Sequence, residues 1–131
     1  MTITAYYPIL YRNDLDAAYK QYTEELGFKV CHKLKDDEMR GYVLEINGYR
    51  MEIIHLELPQ FKDRPDGYLA MRVNVREMDE ALDYYQSHGY DFMEGIFRDE
   101  SHSFAPLINK NGDIVFLSHH FRDDECHYDF R

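Results

Sequence analysis

Seven side chains in this sequence have the chemistry of a small-molecule site if the backbone brings them together. Glu52, in YRMEIIHLE, is a carboxylate inside an apolar, strand-like run. Arg72 and Asn74, in YLAMRVNVR, place a cation and an amide two residues apart in another such run. Tyr7, Tyr11, Tyr68 and Phe116 would add aromatic walls. Side chains on a strand alternate between faces with period 2. On that count Tyr7, Ile9 and Tyr11 share a face, as do Tyr68, Ala70, Arg72 and Asn74. Glu52 goes with Arg50 and Ile54, and Phe116 with Ile114 and Ser118. The intervening residues, Met51, Ile53, Met71, Val73, Val75, Val115 and Leu117, are apolar and suit packing on helices. Aromatic walls with a few polar groups describe a ligand pocket. In it Arg72 and Asn74 suit a carboxylate or carbonyl. Glu52 suits a cation, or acts as a base where burial raises its proton affinity. The plainer alternative is a Glu52–Arg72 ion pair in a filled interior that holds no ligand.

The elements that must position these residues occur twice. DLDAAYKQYTEELGF, residues 14–28, has apolar Leu15, Ala18, Tyr19, Tyr22 and Leu26 at helical spacing. REMDEALDYYQSHGY, residues 76–90, repeats the pattern with Met78, Ala81, Leu82 and Tyr85. Acidic residues open each helix, and Gly27 and Gly89 can stop them. One strand-like run precedes each helix and three follow it. After the first these are FKVCHKLK, MRGYVLEIN and YRMEIIHLE; after the second, DFMEGIFRD, HSFAPLINK and DIVFLSHH. NGYRMEIIH and NGDIVFLSH repeat one frame, and both Asn-Gly pairs read as two-residue hairpin turns. The chain therefore divides into a βαβββ module over 1–57, a linker over 58–66, a second module over 67–120 and a polar tail over 121–131. The fold class is α+β, in one domain.

At 131 residues the chain can bury a real core. A net charge of -10 argues against a nucleic-acid partner. No apolar run reaches the length of a membrane span, and the N-terminus lacks a signal-peptide pattern. Cys31 and Cys126 have neither zinc-type nor CxxC spacing, which suits a reduced, cytoplasmic protein.

YPILYRNDLDAAYKQYTEELGFKV and the twin NG turns resemble the vicinal oxygen chelate superfamily, which includes glyoxalase I, extradiol dioxygenases and bleomycin-resistance proteins. The resemblance runs to about His120. It implies two βαβββ modules forming a half-open barrel around a cavity, commonly in a homodimer. It also implies four ligand slots in the metal-dependent members, on the first and last strands of each module. Carried over, these fall on Tyr7, Glu52, Ala70 and Phe116. A divalent ion needs converging imidazole or carboxylate donors. Only Glu52 is of an ordinary ligand type, so the family metal is not expected.

The expectation is a glyoxalase- or bleomycin-resistance-like protein that binds a small organic molecule without a metal cofactor. The rivals are a metal-dependent lyase, isomerase or dioxygenase with an atypical ligand set, a metal-free enzyme using Glu52 as base, and an interaction module with a filled cavity. His119, His120, Cys126 and His127 lack zinc-finger spacing and read as a solvated terminus. His55 and His119, at matching strand ends, are expected to face solvent or the helices. Cys31 reads as an unreactive strand residue.

Overall fold

The computed structural model describes residues 1–35, 39–57, 65–98 and 102–120. The expected linker lies largely outside them, as does the tail from 121 onward. The chain forms two compact units, one of residues 7–69 and one of residues 1–6 with the chain from Ala70 onward.

In the first unit, β2 (Lys29–Lys35), β3 (Met39–Ile46) and β4 (Tyr49–Leu56) run antiparallel. Strand β1 (Ile3–Tyr11) joins β4 in parallel, with Ile9 opposite Glu52 and Tyr11 opposite Ile54. Two parallel strands need a long crossover. Helix α1 (Leu15–Lys20) and the β2–β3 hairpin supply it. Asp14 caps α1 by accepting the Ala17 N–H at 3.0 Å. Leu15 and Ala18 bury against Leu44 and Ile53, with Tyr22, Phe28, Tyr42 and Met51 around them. The expected helix over 14–28 is shorter and changes pitch. Residues Gln21–Glu25 widen into a π-turn, closed by Leu26 N–H on the Gln21 carbonyl at 3.1 Å. The Thr23 hydroxyl donates to the Tyr19 carbonyl at 2.7 Å, taking up the acceptor that a regular helix offers to the Thr23 amide. Gly27, at φ +80°, then ends the segment as expected.

The second unit repeats the plan. Strand β5 (Leu69–Val75) pairs in parallel with β9 (Ile114–His120), which runs antiparallel to β8 (His102–Ile108). Helix α2 (Met78–Ser87) sets Met78, Ala81 and Leu82 against Val73, Val75, Ala105, Leu107, Val115 and Leu117. The apolar strand faces pack on the helices as the alternation predicts. The N-terminal end of β1 is tied to β5: Asn74 Nδ2 donates to Thr4 Oγ1 at 2.8 Å, and Thr4 Oγ1 donates to the Asn74 carbonyl at 3.2 Å.

Two expectations for this unit need correction. The single strand read in DFMEGIFRD is two short ones, β6 (Asp91–Phe92) and β7 (Phe97–Arg98), both on β8. Pro106 explains the break. Its carbonyl accepts the Met93 N–H at 3.0 Å, so the donor that proline lacks is missing on this edge, while the β8–β9 ladder stays whole. The second correction concerns the twin turns. Asn47-Gly48 is a two-residue turn, with both residues at positive φ and Ile46 opposite Tyr49. Asn111-Gly112 is instead part of a five-residue loop between Ile108 and Ile114. Asn109 organises it: its Oδ1 accepts the Asn111 and Asp113 N–H groups at 3.0 and 2.9 Å. A two-residue turn would have set Leu107 opposite Phe116; the longer loop sets Pro106 there. A one-residue shift exchanges the faces of a strand. Leu107 consequently joins the helix-side core, and Phe104 turns to the face that carries Arg72.

Candidate functional site

The candidate residues sort onto one strand face of each unit. In the first, Tyr7, Ile9 and Tyr11 on β1 lie beside Glu52 and Ile54 on β4, and all five are buried. Glu52 is completely shielded from solvent. The Tyr11 hydroxyl donates to the Leu56 carbonyl at 3.3 Å, and its ring stacks on His55 at 5.6 Å. Burial pushes the Tyr11 phenol pKa up, and the carboxylates of Glu57 and Asp66 add to the rise. Tyr68 stands one residue before β5 and is half-buried; its carbonyl accepts the Tyr11 N–H at 2.9 Å.

In the second unit Arg72 lies opposite Phe116, and Asn74 opposite Ser118. All four are buried. The Arg72 guanidinium carbon lies 5.3 Å from the centroid of Phe104 and 5.5 Å from that of Phe116. Those rings meet edge to face at 5.1 Å, and Phe97 stacks against Phe104 at 5.7 Å. Cation–π attraction of this kind holds an arginine in place. Sequence reasoning had not placed Phe97 or Phe104 near Arg72. The signal that would have found Phe104 is the loop length after Ile108, hidden by the likeness of the two NG turns.

The four family metal slots do not supply a ligand set. Ala70 has no donor atom and Phe116 offers only a ring, so Glu52 is left with the neutral phenol of Tyr7. Among the described residues, no three His, Cys, Asp or Glu side chains gather where they could hold an ion.

The twin histidines have a structural task. His55 Nδ1 lies 3.1 Å from the Arg12 carbonyl, and His119 Nδ1 lies 2.8 Å from the Val75 carbonyl. Each imidazole thus ties the last strand of its module to the end of the first. His55 Nε2 also lies 2.8 Å from Glu57. The Cys31 thiol donates to Glu45 at 3.1 Å. Burial, followed by the Glu45 contact, pushes its pKa up, which disfavours a nucleophilic thiolate. Cys126 and His127 lie outside the described residues.

A model of the Glyoxalase/Bleomycin resistance protein/Dioxygenase superfamily matches residues 4–122. The chain belongs to that superfamily. Solved structures share its fold. Methylmalonyl-CoA epimerase from Mycobacterium tuberculosis aligns with a TM-score of 0.68 at 18% identity, over 89% of this chain and 88% of that one. A variant of Streptomyces coelicolor methylmalonyl-CoA epimerase, in complex with 2-nitronate-propionyl-CoA, aligns with a TM-score of 0.68 at 18% identity, over 92% and 100%. A superfamily member from Vibrio splendidus 12B01 aligns with a TM-score of 0.58 at 14% identity, over 90% and 99%. No curated protein sequence matches the chain. The α+β class with paired βαβββ modules is therefore the fold expected from the sequence. No helix among the described residues is long and apolar enough to cross a membrane.

Proposed function

We propose that this superfamily member binds a small organic molecule, and does so without a divalent metal. Its candidate residues are Tyr7, Tyr11, Glu52 and Tyr68 in one unit, and Arg72, Asn74 and Phe116 in the other, each set taken by itself. The observation that carries the reading is the burial of Glu52, Arg72 and Asn74 on faces otherwise lined by aromatic and aliphatic groups. Burying charge and amide groups is costly, and a fold needing only a filled interior would gain from apolar residues there. The binding of an acyl-CoA analogue by the Streptomyces coelicolor epimerase supports organic ligands on this fold. Native mass spectrometry of untagged protein, before and after EDTA, tests the metal-free part. The expected result is metal-free protein whose ligand binding is unchanged by EDTA. A stoichiometric divalent ion whose removal abolishes binding overturns it.

The full burial of Glu52 favours a second reading, in which the carboxylate removes a proton from carbon in a metal-free isomerase or lyase. Carbon-bound hydrogen exchange of a bound acid in deuterated water is its readout. Glu52→Gln should slow exchange by about 10²-fold or more, and undiminished exchange removes Glu52 from that role. Homodimerisation, a superfamily habit, belongs to the same proposal and is read by light scattering.

A further inference from the structure

The two Asn-Gly pairs share a sequence but not a hydrogen-bonding state. Asn47 and Gly48 are both exposed, at φ 51° and 85°, and Gly48 has open space on the side where a Cβ would stand. Neither the Gly48 N–H nor the Asn47 side chain makes a hydrogen bond among the described residues. The turn rests on the strands at its two ends, where Ile46 pairs with Tyr49. In the twin, the Gly112 N–H donates to the Asn109 carbonyl at 3.1 Å, and the Asn111 N–H to Asn109 Oδ1 at 3.0 Å. Asn109 Nδ2 donates to Asp113 at 3.0 Å and closes that loop further.

An Asn-Gly pair can react with itself, because glycine has no Cβ to hinder its amide nitrogen. Ring closure needs that nitrogen eclipsed with the asparagine Cβ about the Cα–C bond. A turn with positive φ at both central residues starts from a first ψ of roughly +30°. Rotating its central peptide gives a type II′ turn, with the first ψ roughly −120° and the second φ roughly −80°. That first ψ is the eclipsed geometry, and glycine takes either sign of φ. Asn47-Gly48 reaches it with the β3–β4 ladder intact. At Asn111-Gly112 the same rotation breaks the bond to the Asn109 carbonyl.

We propose that Asn47 is a site of self-modification, passing through a cyclic imide to aspartate and isoaspartate, and that its twin Asn111 is protected. The Gly48 nitrogen gives its proton to water and bonds to Asn47 Cγ. The Cγ–Nδ2 bond breaks, and the side-chain nitrogen leaves as ammonia. Water then adds to one of the ring carbonyls. Breaking the N–Cγ bond leaves aspartate; breaking the bond from nitrogen to the main-chain carbonyl carbon leaves isoaspartate. Water enters, ammonia leaves, and nothing is oxidised or reduced. Isoaspartate lengthens the main chain in a turn with no residue to spare, within the hairpin that sets Glu52 opposite Val43.

The test holds the full chain in mildly alkaline buffer and then cleaves after Lys and Arg, which releases residues 41–50 and 111–122. Mass spectrometry follows the exchange of the amide nitrogen for oxygen, and electron-transfer fragmentation separates isoaspartate from aspartate. Residues 41–50 should convert about tenfold or more faster than 111–122. In urea the two rates should converge, since the same dipeptide then reacts without its fold. Asn109→Ala should speed conversion at Asn111 about threefold or more and leave Asn47 unchanged. Conversion at Asn111 as fast as at Asn47, or at neither, overturns the proposal. A gap that persists in urea also overturns it, by assigning the difference to neighbouring side chains. An unchanged Asn111 rate in Asn109→Ala overturns the protective role of the loop.

Discussion

Phe116 and Leu117 are adjacent in sequence but lie on opposite faces of β9. Leu117 is fully buried in the core under α2. Leu117→Ala should cost about 2–5 kcal/mol in urea denaturation, from lost burial and the cavity left behind. Leu69, 56% exposed at the start of β5, is the contrast, and Leu69→Ala should change stability by no more than about 0.5 kcal/mol. At this scale the sequence was legible wherever strand alternation applied. Ile53, Val73, Val115 and Leu117 fell on the helix side, and Glu52, Arg72 and Phe116 opposite them. The surroundings of each polar side chain were not legible. The aromatic flanks of Arg72 and the burial of Ser118 come from residues on other strands, whose register no local pattern sets.

The twin hairpins diverge in a way that decides which residues share a face. Asn47-Gly48 closes β3 and β4 with no spare residue, whereas Asn109 draws the second turn into a five-residue loop and shifts β8 by one. Asn109→Ala removes the acceptor for two backbone N–H groups. It should cost about 1–3 kcal/mol and broaden the amide signals of residues 109–113. In β3, Gly41 is required by close backbone approach: a Cβ there would collide with the Ile53 carbonyl oxygen. Backbone of the neighbouring strand cannot yield cheaply. Gly41→Ala should destabilise by about 1–3 kcal/mol and weaken hydrogen-exchange protection along β3 and β4, while leaving α2 protected. Helix and strand identities were readable from periodicity, and stop glycines 27 and 89 from their place after it. The π-turn at Gln21–Glu25 and the break at Pro106 were not. Each depends on where one particular carbonyl or missing N–H points once the element is in place.

Across the whole chain, pH should act at two edges. Asp66 accepts the Asn13 N–H at 2.9 Å and the Arg12 Nε–H at 3.1 Å, and these bonds lower its pKa. A depressed carboxylate contributes stability above its unfolded value, near 3.9, and loses it as pH falls through the folded value. Asp66→Asn should therefore flatten the acid limb of a stability profile below about pH 4, modestly, since the pair is half-exposed and salt-screened. At the other edge, burial raises the Tyr11 and Tyr85 phenols. Their contribution is complete below the unfolded value, about 10, and is lost as pH rises through the folded ones. Phenolate absorbance should show Tyr11 and Tyr85 ionising late and together with alkaline unfolding. A Tyr11→Phe, Tyr85→Phe double variant should lower the amplitude of that late step. What the sequence by itself determined was the duplication: two βαβββ modules and their apolar faces. These follow from patterns local to one element or repeated at a constant offset. Only the tertiary structure decided that Phe104 joins Arg72, that Ser118 is buried, and that the strand-end histidines bind backbone carbonyls. The physical reason is register: a strand's faces are written in its own residues, but its partners across the sheet depend on loop geometry and a single residue's shift.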